Sequence, residues 1–170
     1  MLIVFGGLPG TGKTTIARQV ARACGATYIR IDAIEQAIRS ANVLSGEVGP
    51  AGYMVAYALS QSNLGLGQSV VADSVNPLAI TRGAWRSVAA SAGVPIIEVE
   101  IVCSDIAEHR RRVETRTSDI PGHILPGWAA IEAREYEMWS APHLVIDTAA
   151  VTPEEATAQV IAAARQKTRL

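Results

Sequence analysis

The sequence contains very little lysine and no surplus of charge of either sign. Lys13 and Lys167 are the only lysines in 170 residues, and 15 basic against 16 acidic side chains leave a net charge of −1. A chain without a strong positive field has no general attraction for nucleic acid or acidic membranes. We therefore expect neither a nucleic-acid partner nor binding to a membrane.

Cysteine, leader sequences and long apolar runs are also scarce or missing. Cys24 and Cys103 lie far apart and form no C-x-x-C pair, so we expect two reduced thiols. No apolar run approaches the roughly 20 residues that span a bilayer. Met1 leads directly into an apolar run without a charged leader, which argues against a signal peptide. These features predict one cytoplasmic domain over residues 1–170, a monomer or homodimer, that buries its own core.

The most informative pattern present is a glycine-rich loop near the start. Residues Gly7–Thr14 read G-x-x-x-x-G-K-T, the signature of a phosphate-binding loop. The apolar run before the loop suits a buried strand, and the residues after it have the apolar period of a helix. The glycines permit a tight turn whose backbone N–H groups point at phosphates, and the following helix N-terminus favours the same negative charge. A glycine-rich turn without a ligand is the alternative explanation.

The loop signature assigns roles to individual residues. Lys13 is expected to reach the outer phosphates of a nucleotide, and the Thr14 hydroxyl is expected to bind a magnesium ion. The residues predicted to hold the nucleotide phosphates are Gly10, Thr11, Gly12, Lys13, Thr14 and Thr15.

Apolar runs alternate with helical stretches along the whole chain. The predicted strands are Leu2–Phe5, Thr27–Ile31, Ser69–Ala72, Pro95–Val102 and Leu144–Ile146. The predicted helices are about Lys13–Cys24, Ala33–Ser40, Ala51–Leu64, Leu78–Ala92, Asp105–Arg116, Ala129–Met138 and Pro153–Arg165. Apolar strands separated by helices indicate an α/β fold with a parallel sheet covered on both faces. Thr152, Pro153 and Glu155 mark the start of the last helix with a capping box.

Three aspartates follow predicted strands, where ligands bind in open α/β sheets. Asp73 is a candidate magnesium ligand beside Thr14, or else a turn cap. Asp32 is a candidate to orient or deprotonate an acceptor hydroxyl, or else a helix N-cap. Arg39 lies two helical turns further on and either binds a polar or acidic part of the substrate or stays solvated. Asp147 is the third strand-end carboxylate and begins the turn that leads to the last helix. An ordinary loop and cap without a ligand is the alternative explanation for this turn.

An arginine-rich helix leads into a loop that contains two prolines and two glycines. Residues 109–116 read HRRRVETR, and helical geometry puts Arg112 and Arg116 on one flank. A guanidinium neutralises charge that develops in phosphoryl transfer, so a lid of about residues 117–127 predicts a catalytic role for Arg116 and a nucleotide contact for Arg112. Arg134 follows the loop and is a further candidate for substrate binding. A salt-bridged surface helix is the alternative.

These residues together resemble the small P-loop kinases of the nucleoside monophosphate kinase type. Within that group the chain is similar to chloramphenicol phosphotransferase, gluconate kinase, shikimate kinase and the kinase domain of polynucleotide kinase. The resemblance rests first on Gly7–Thr14, then on Asp32 with Arg39, and on Arg112 with Arg116.

The resemblance implies a P-loop NTPase fold: a three-layer sandwich around a five-stranded parallel sheet in the order 2-3-1-4-5, with a short lid. Asp73–Asn76 with Arg82 is similar to a D-A-T-N…R segment after the third strand, although Ser74 and Val75 differ from it. This similarity implies substrate-binding roles for Asp73 and Arg82. In this architecture the turn that contains Thr148 lies near the nucleotide base.

The sequence thus predicts a kinase that uses ATP and magnesium to phosphorylate a hydroxyl of a small molecule. Lys13, Asp32 and Arg116 are the predicted catalytic residues. The acceptor-binding segment, about residues 32–66, varies in such families, so the acceptor stays open between an antibiotic, a sugar, an amino acid and a nucleoside. The alternatives are a kinase of nucleotides or of nucleic-acid 5′-hydroxyls, and an ATP-responsive regulatory module without turnover.

Overall fold

Five strands form one parallel sheet with helices on both faces. The computed structural model describes residues 1–42 and 46–168. Its elements in chain order are β1 (Leu2–Gly6), α1 (Lys13–Cys24), β2 (Thr27–Arg30), α2 (Ile31–Ser40), α3 (Ala51–Gly65), β3 (Val70–Asp73), α4 (Ala79–Ser91), β4 (Ile96–Val102), α5 (Ile106–Thr115), α6 (Trp128–Glu132), β5 (Leu144–Asp147) and α7 (Pro153–Thr168). The strand order is β2-β3-β1-β4-β5, and all neighbours are parallel. This confirms the predicted α/β fold and its 2-3-1-4-5 order.

The central strand β1 is apolar on both faces, which explains its place in the middle of the sheet. Ile3 and Phe5 belong to a core shared with α1 and α7. Leu2 and Val4 belong to a second core on the opposite face, shared with α3 and α4. Because β1 lies in the middle of the sheet, its carboxyl end lies at the centre of the edge where ligands bind in α/β folds. The glycine-rich loop follows β1 at this point.

Two helices begin at side-chain caps, and the sequence predicts the cap of α7. The Thr152 backbone N–H donates to the Glu155 carboxylate over 2.8 Å, and the Glu155 N–H donates to Thr152 Oγ1 over 3.2 Å. This reciprocal pair is the predicted capping box of α7. Asp105 caps α5 by accepting from the Glu108 N–H over 3.0 Å. Among the helices of the described residues, none is both long and apolar enough to cross a membrane.

The predicted helix Ala129–Met138 is wrong in its second half, because α6 ends at Glu132. The residues that follow pack against the start of α4 instead. The Glu137 N–H donates to the Pro77 carbonyl over 2.8 Å, and the Glu137 carboxylate accepts from the Ala79 N–H over 2.6 Å. The first N–H groups of a helix need such partners. These long-range contacts therefore outweigh the local helical period.

The predicted acceptor-binding segment contains α2 and α3. Helix α2 begins at Ile31 rather than at Ala33, so Asp32 lies in its first turn and not before it. In the described part of the chain, no side chain makes a cap hydrogen bond at the start of α2. Residues 43–45 of the segment lie outside the described residues.

Candidate active site

The glycine-rich loop is wedged between β4 and α5, and only glycine fits at two of its positions. Gly7 has φ +129°, and a Cβ there would lie 2.1 Å from the Ile101 carbonyl oxygen. Gly10 has φ +89°, and a Cβ there would lie 2.5 Å from Val113 Cγ2. Positive φ values of this kind are strained for residues with a Cβ. The backbone is therefore fixed closely against its neighbours, as a phosphate cradle requires.

Lys13 is the first residue of α1 and is buried. Its Nζ donates to the Leu8 carbonyl over 3.1 Å, which folds the side chain back over the loop. Burial lowers the pKa of Lys13, and the nearby carboxylates of Asp73 and Asp32 act in the opposite direction. The ammonium group thus lies at the loop with acidic groups close by, where a nucleotide phosphate would meet it.

A cleft of about 800 Å³ opens above the loop. It is lined by the loop, the start of α2, the residues after β3, the end of α5 and the lid segment. Most of the predicted site residues share this lining: Gly10, Gly12, Lys13, Thr14, Thr15, Asp32, Arg39, Asp73, Arg112, Arg116 and Arg134. The topology therefore brings together side chains that lie more than 100 residues apart in sequence.

The two strand-end carboxylates differ in exposure. Asp73 is buried at the end of β3, and its Oδ2 accepts from the Tyr28 hydroxyl over 2.7 Å. Asp32 is 40% exposed to the cleft, and its Oδ2 lies 3.6 Å from a terminal nitrogen of Arg30. A buried carboxylate beside phosphates suits a metal ligand, whereas an exposed one is accessible to an acceptor hydroxyl.

The cleft offers donors of the kind that magnesium uses. Among the described residues no group of three or more His, Cys, Asp or Glu side chains could hold a metal. Magnesium in phosphoryl-transfer sites is usually bound by one or two protein oxygens together with substrate phosphates and water. The Asp73 carboxylate and the Thr14 hydroxyl line the same cleft and fit that mode.

Arg112 supports the loop through Thr148. It donates to Thr148 Oγ1 over 2.9 Å and to the Thr148 carbonyl over 3.1 Å, while its Nε donates to Glu108 over 2.7 Å. The Thr148 hydroxyl in turn donates to the Thr11 carbonyl over 2.8 Å. Neither Thr11 nor Thr148 belongs to the cleft lining. In this structure Thr11 is part of the loop backbone, and Thr148 holds that backbone in place through its hydrogen bond.

Arg116 lies where α5 ends and the lid begins, and some of its N–H donors are unused within the described residues. One terminal nitrogen donates to the Pro126 carbonyl over 3.1 Å, whereas its buried Nε has no partner in the described part of the chain. Burial lowers the pKa of Arg116, and the positive charge of Arg30 adds to that effect, while Asp32 opposes it. Both guanidinium groups line the same cleft, and the Asp32 carboxylate acts on both of them.

The part of the cleft that the sequence predicts to bind the acceptor is lined by α2, α3 and the predicted lid segment. Arg39 is exposed and pairs with Glu35 over 3.3 Å. Burial raises the pKa of Glu35, while its ion pair with Arg39 lowers it. The Tyr53 hydroxyl accepts from the Asn76 N–H over 3.1 Å. Arg134 is exposed just after α6 and reaches the cleft from the other side of the lid.

Arg82 lies in the protein interior rather than in the cleft lining. Its guanidinium donates to the Asn76 carbonyl over 2.9 Å and to the Met138 carbonyl over 3.2 Å, and it lies 5.0 Å from the Trp139 ring centroid. These contacts bind α4 to the extended residues after α6. The geometry thus gives Arg82 a structural role and adds no support to its predicted contact with substrate.

Sequence reasoning missed a polar network along one wall of the cleft. Its members in the cleft lining are Arg18, Arg30 and the lid residue Asp119, and Tyr28 lies behind them with its hydroxyl hydrogen-bonded to Asp73. One signal was available: Arg30 is a charged residue at the end of a strand, two residues before Asp32. Asp119 carried no such signal, because its partners are 89 and 101 residues away.

Comparison with known proteins assigns the chain to a family. Residues 2–124 match the family described as AAA domain, which is well over half of the chain. The chain belongs to this AAA domain family. An uncharacterized protein of Mycobacterium tuberculosis is 33% identical over 164 residues, covering 87% of this chain, and a Mycobacterium bovis protein matches equally. The chain spans only 32% of the length of these curated relatives.

Solved structures show that this AAA domain has the fold of P-loop kinases. Chaetomium thermophilum Kti12 in complex with ADP-AlF3 superposes with a TM-score of 0.74 at 23% identity, covering 98% of both chains. A Sinorhizobium meliloti gluconokinase gives 0.67 at 21% identity, covering 98% of this chain and 93% of its own. Mycobacterium tuberculosis APS kinase in complex with AMPPNP and APS gives 0.68 at 20% identity, covering 94% of both chains.

Proposed function

We propose that this AAA domain is an ATP- and magnesium-dependent phosphotransferase that moves the γ-phosphate to a hydroxyl of a small molecule. The observation that carries the proposal is that Lys13, Asp32, Asp73 and Arg116 all line one cleft above the phosphate-binding loop. Phosphoryl transfer needs little from a protein except positioning and electrostatic stabilisation, and this set of side chains supplies both.

Each of these residues has a distinct task in the proposed reaction. The loop amides and Lys13 bind the nucleotide phosphates. Thr14 and Asp73 would hold magnesium, which when bound neutralises phosphate charge. Asp32 accepts the proton of the acceptor hydroxyl, whose oxygen forms a bond to the γ-phosphorus as the bond to the bridging oxygen breaks and ADP leaves. Arg116 stabilises the charge that develops on the transferring group.

The volume of the cleft favours a small acceptor. About 800 Å³ must hold both the nucleotide phosphates and the acceptor, and this is within the ordinary range for small-molecule sites. The lid residues 117–119 and 122–126 line one side of it and would exclude water from the reacting phosphate. Nucleotides, nucleic-acid 5′-hydroxyls and an ATP-responsive module without turnover are the competing explanations.

A screen for acceptor-dependent ADP release tests the proposal. Purified protein with ATP and magnesium is presented with sugars, amino acids, nucleosides, nucleotides, oligonucleotides and hydroxylated antibiotics, and Lys13→Ala serves as the blank. We expect one small-molecule class to stimulate ADP release in the wild type only. Asp32→Asn should keep ATP binding and lose transfer by about 10²- to 10⁴-fold, the usual contribution of a general base.

Three results would contradict the proposal or a part of it. Full transfer activity in Asp32→Asn would remove Asp32 from the mechanism. ATP binding without any stimulated ADP release across the panel would favour the regulatory module, and stimulation by oligonucleotides alone would favour a nucleic-acid kinase.

A further inference from the structure

An acidic lid residue lies across two arginines on the cleft wall. Asp119 accepts hydrogen bonds from Arg18 on α1 and from Arg30 at the end of β2, the latter over 2.8 and 3.1 Å to its two oxygens. All three residues line the cleft. The Asp119 side chain is 46% exposed, whereas that of Arg30 is only 10% exposed. A largely buried cation is thus paired with a half-exposed carboxylate of the predicted lid segment.

Arg30 has unused capacity to bind oxyanions. Its buried Nε has no hydrogen-bond partner in the described part of the chain, and it lies 4.0 Å from Asp73. Its second terminal nitrogen lies 3.6 Å from Asp32 without a hydrogen bond. A guanidinium carries five N–H donors that match a carboxylate or phosphate. Within residues 1–42 and 46–168, one nitrogen of Arg30 donates hydrogen bonds, and its acceptor is Asp119.

The surrounding charges also favour an incoming anion. Arg116 and Arg30 line the same cleft with like charges, and the charge of Arg30 lowers the pKa of Arg116 in addition to the larger effect of burial, while Asp32 raises it. In the proposed reaction Asp73 binds magnesium and Asp32 binds the acceptor hydroxyl, so both carboxylates near Arg30 are occupied. Loss of the Asp119 contact would then remove the hydrogen-bonded carboxylate from both Arg18 and Arg30. Arg30 is largely buried, and its other two carboxylate neighbours lie at 3.6 and 4.0 Å without a hydrogen bond, so an incoming anion would restore the lost hydrogen bonds.

We infer that Arg18 and Arg30 form a subsite for an anionic group of the acceptor, a phosphate or carboxylate, and that Asp119 occupies this subsite until the acceptor displaces it. The inference rests on the proposed function and narrows it, because the acceptor becomes a hydroxyl compound that also carries a negative charge. Asp119 then excludes neutral acceptors, which cannot compete for the two guanidinium groups.

The alternative is that the contact of Asp119 with the two arginines is purely structural and holds the lid against α1. The two explanations differ in what removal of the Asp119 charge does. A structural contact would be weakened by the loss of this charge, and no anion would bind in place of Asp119. A displaceable carboxylate leaves a vacant anion site that binds small oxyanions more tightly.

Calorimetric titration of inorganic phosphate separates these cases. The protein is first saturated with magnesium and the non-hydrolysable nucleotide AMPPNP, so that the phosphate-binding loop is filled. Asp119→Asn is expected to bind phosphate about tenfold more tightly than the wild type, the size of one charge-assisted hydrogen bond. Adding Arg18→Gln to Asp119→Asn should abolish the gain. A parallel titration with acetate distinguishes a preference for carboxylate from one for phosphate.

Glu114→Gln is the matched control, because Glu114 is an exposed carboxylate paired with Arg110 and is absent from the cleft lining. It removes the same charge from the protein at a distance from the subsite. An equal gain in Glu114→Gln, or no gain in Asp119→Asn, would overturn the inference. Circular dichroism confirms that each variant keeps its fold.

Turnover assays link the subsite to the acceptor. The acceptors are supplied in pairs with the same hydroxyl group, one member neutral and the other phosphorylated or carboxylated. We expect only the charged member to be phosphorylated, with Arg18→Gln raising its KM about tenfold. Turnover of neutral members alone would overturn the inference and leave the proposed function intact. Phosphate binding with the expected variant pattern but no turnover would instead reject the proposed function and keep the anion subsite.

Discussion

Replacing Lys13 by methionine should change stability in opposite directions with and without nucleotide. The ammonium group is buried, and burial lowers its pKa, so the charged form is penalised in the free protein. An unbranched apolar side chain removes that penalty, and we expect a gain of about 1 kcal/mol in the free energy of unfolding without ATP. For a domain of this size this raises Tm by about 2–4 °C.

ATP should stabilise the wild type far more than this variant. At a nucleotide concentration of 100 times Kd, the ligand adds about 2.7 kcal/mol, or about 5–11 °C in Tm. Loss of a charge-assisted hydrogen bond to phosphate costs about 1.5–3 kcal/mol and weakens Kd by about 10- to 150-fold. The nucleotide then contributes only about 0.3–1.3 kcal/mol to Lys13→Met at the same concentration.

Differential scanning fluorimetry with and without ATP and magnesium measures both effects. Lys167→Met is the matched control, since Lys167 is the only other lysine and is exposed near the end of α7. It should move neither value. An ATP shift in Lys13→Met as large as in the wild type would refute the assignment of Lys13 to the phosphates.

The same substitution predicts a difference in pH dependence. Because the pKa of Lys13 is lowered in the folded state, the unfolded chain binds more protons at this group. The contribution of Lys13 to the stability of the free wild type therefore rises as pH increases toward about 10.4, the unfolded pKa of lysine. Subtracting the Lys13→Met profile isolates this effect, and a difference that falls with pH would contradict the burial argument.

Three further substitutions test the scaffold of the site. Gly7→Ala combines positive φ with a clash against the Ile101 carbonyl and should cost at least about 3 kcal/mol in urea unfolding. Gly93→Ala also has positive φ but nothing within 4 Å, so it should cost only about 1 kcal/mol, and equal costs would refute the clash. Thr148→Val removes the hydroxyl between Arg112 and the loop, should cost about 1–3 kcal/mol and should weaken ATP binding. Unchanged stability and ATP affinity would show that this tie does not support the loop.

The parts of the site that could be predicted depend on short stretches of sequence. The loop is recognisable because Gly7, Gly12, Lys13 and Thr14 lie within eight residues. The aspartates at strand ends can be located because apolar strands are short and parallel sheets collect ligands at their carboxyl edge. The strand order came from resemblance to a family, since hydrophobic periodicity alone does not determine which strands are neighbours.

The parts that could not be predicted depend on distant partners. The local pattern continues a helix through Met138, but contacts of Glu137 with the start of α4 end it at Glu132. Arg82 matches a substrate-binding segment by position, yet it is buried and donates to the backbone carbonyls of Asn76 and Met138. The contact of Asp119 with Arg30 joins a lid to a strand that comes 89 residues earlier, and no local pattern encodes it.

Direct detection of phosphorylated product tests the central claim most sharply. The acceptor found by the ADP-release screen is incubated with ATP labelled in its γ-phosphate, magnesium and either wild type or Asp32→Asn, and the products are analysed by mass spectrometry. The account predicts that the wild type transfers one labelled phosphoryl group to a hydroxyl of the acceptor, and that Asp32→Asn binds ATP but forms almost no product. Label that appears only in free phosphate, with the acceptor unmodified, would contradict it.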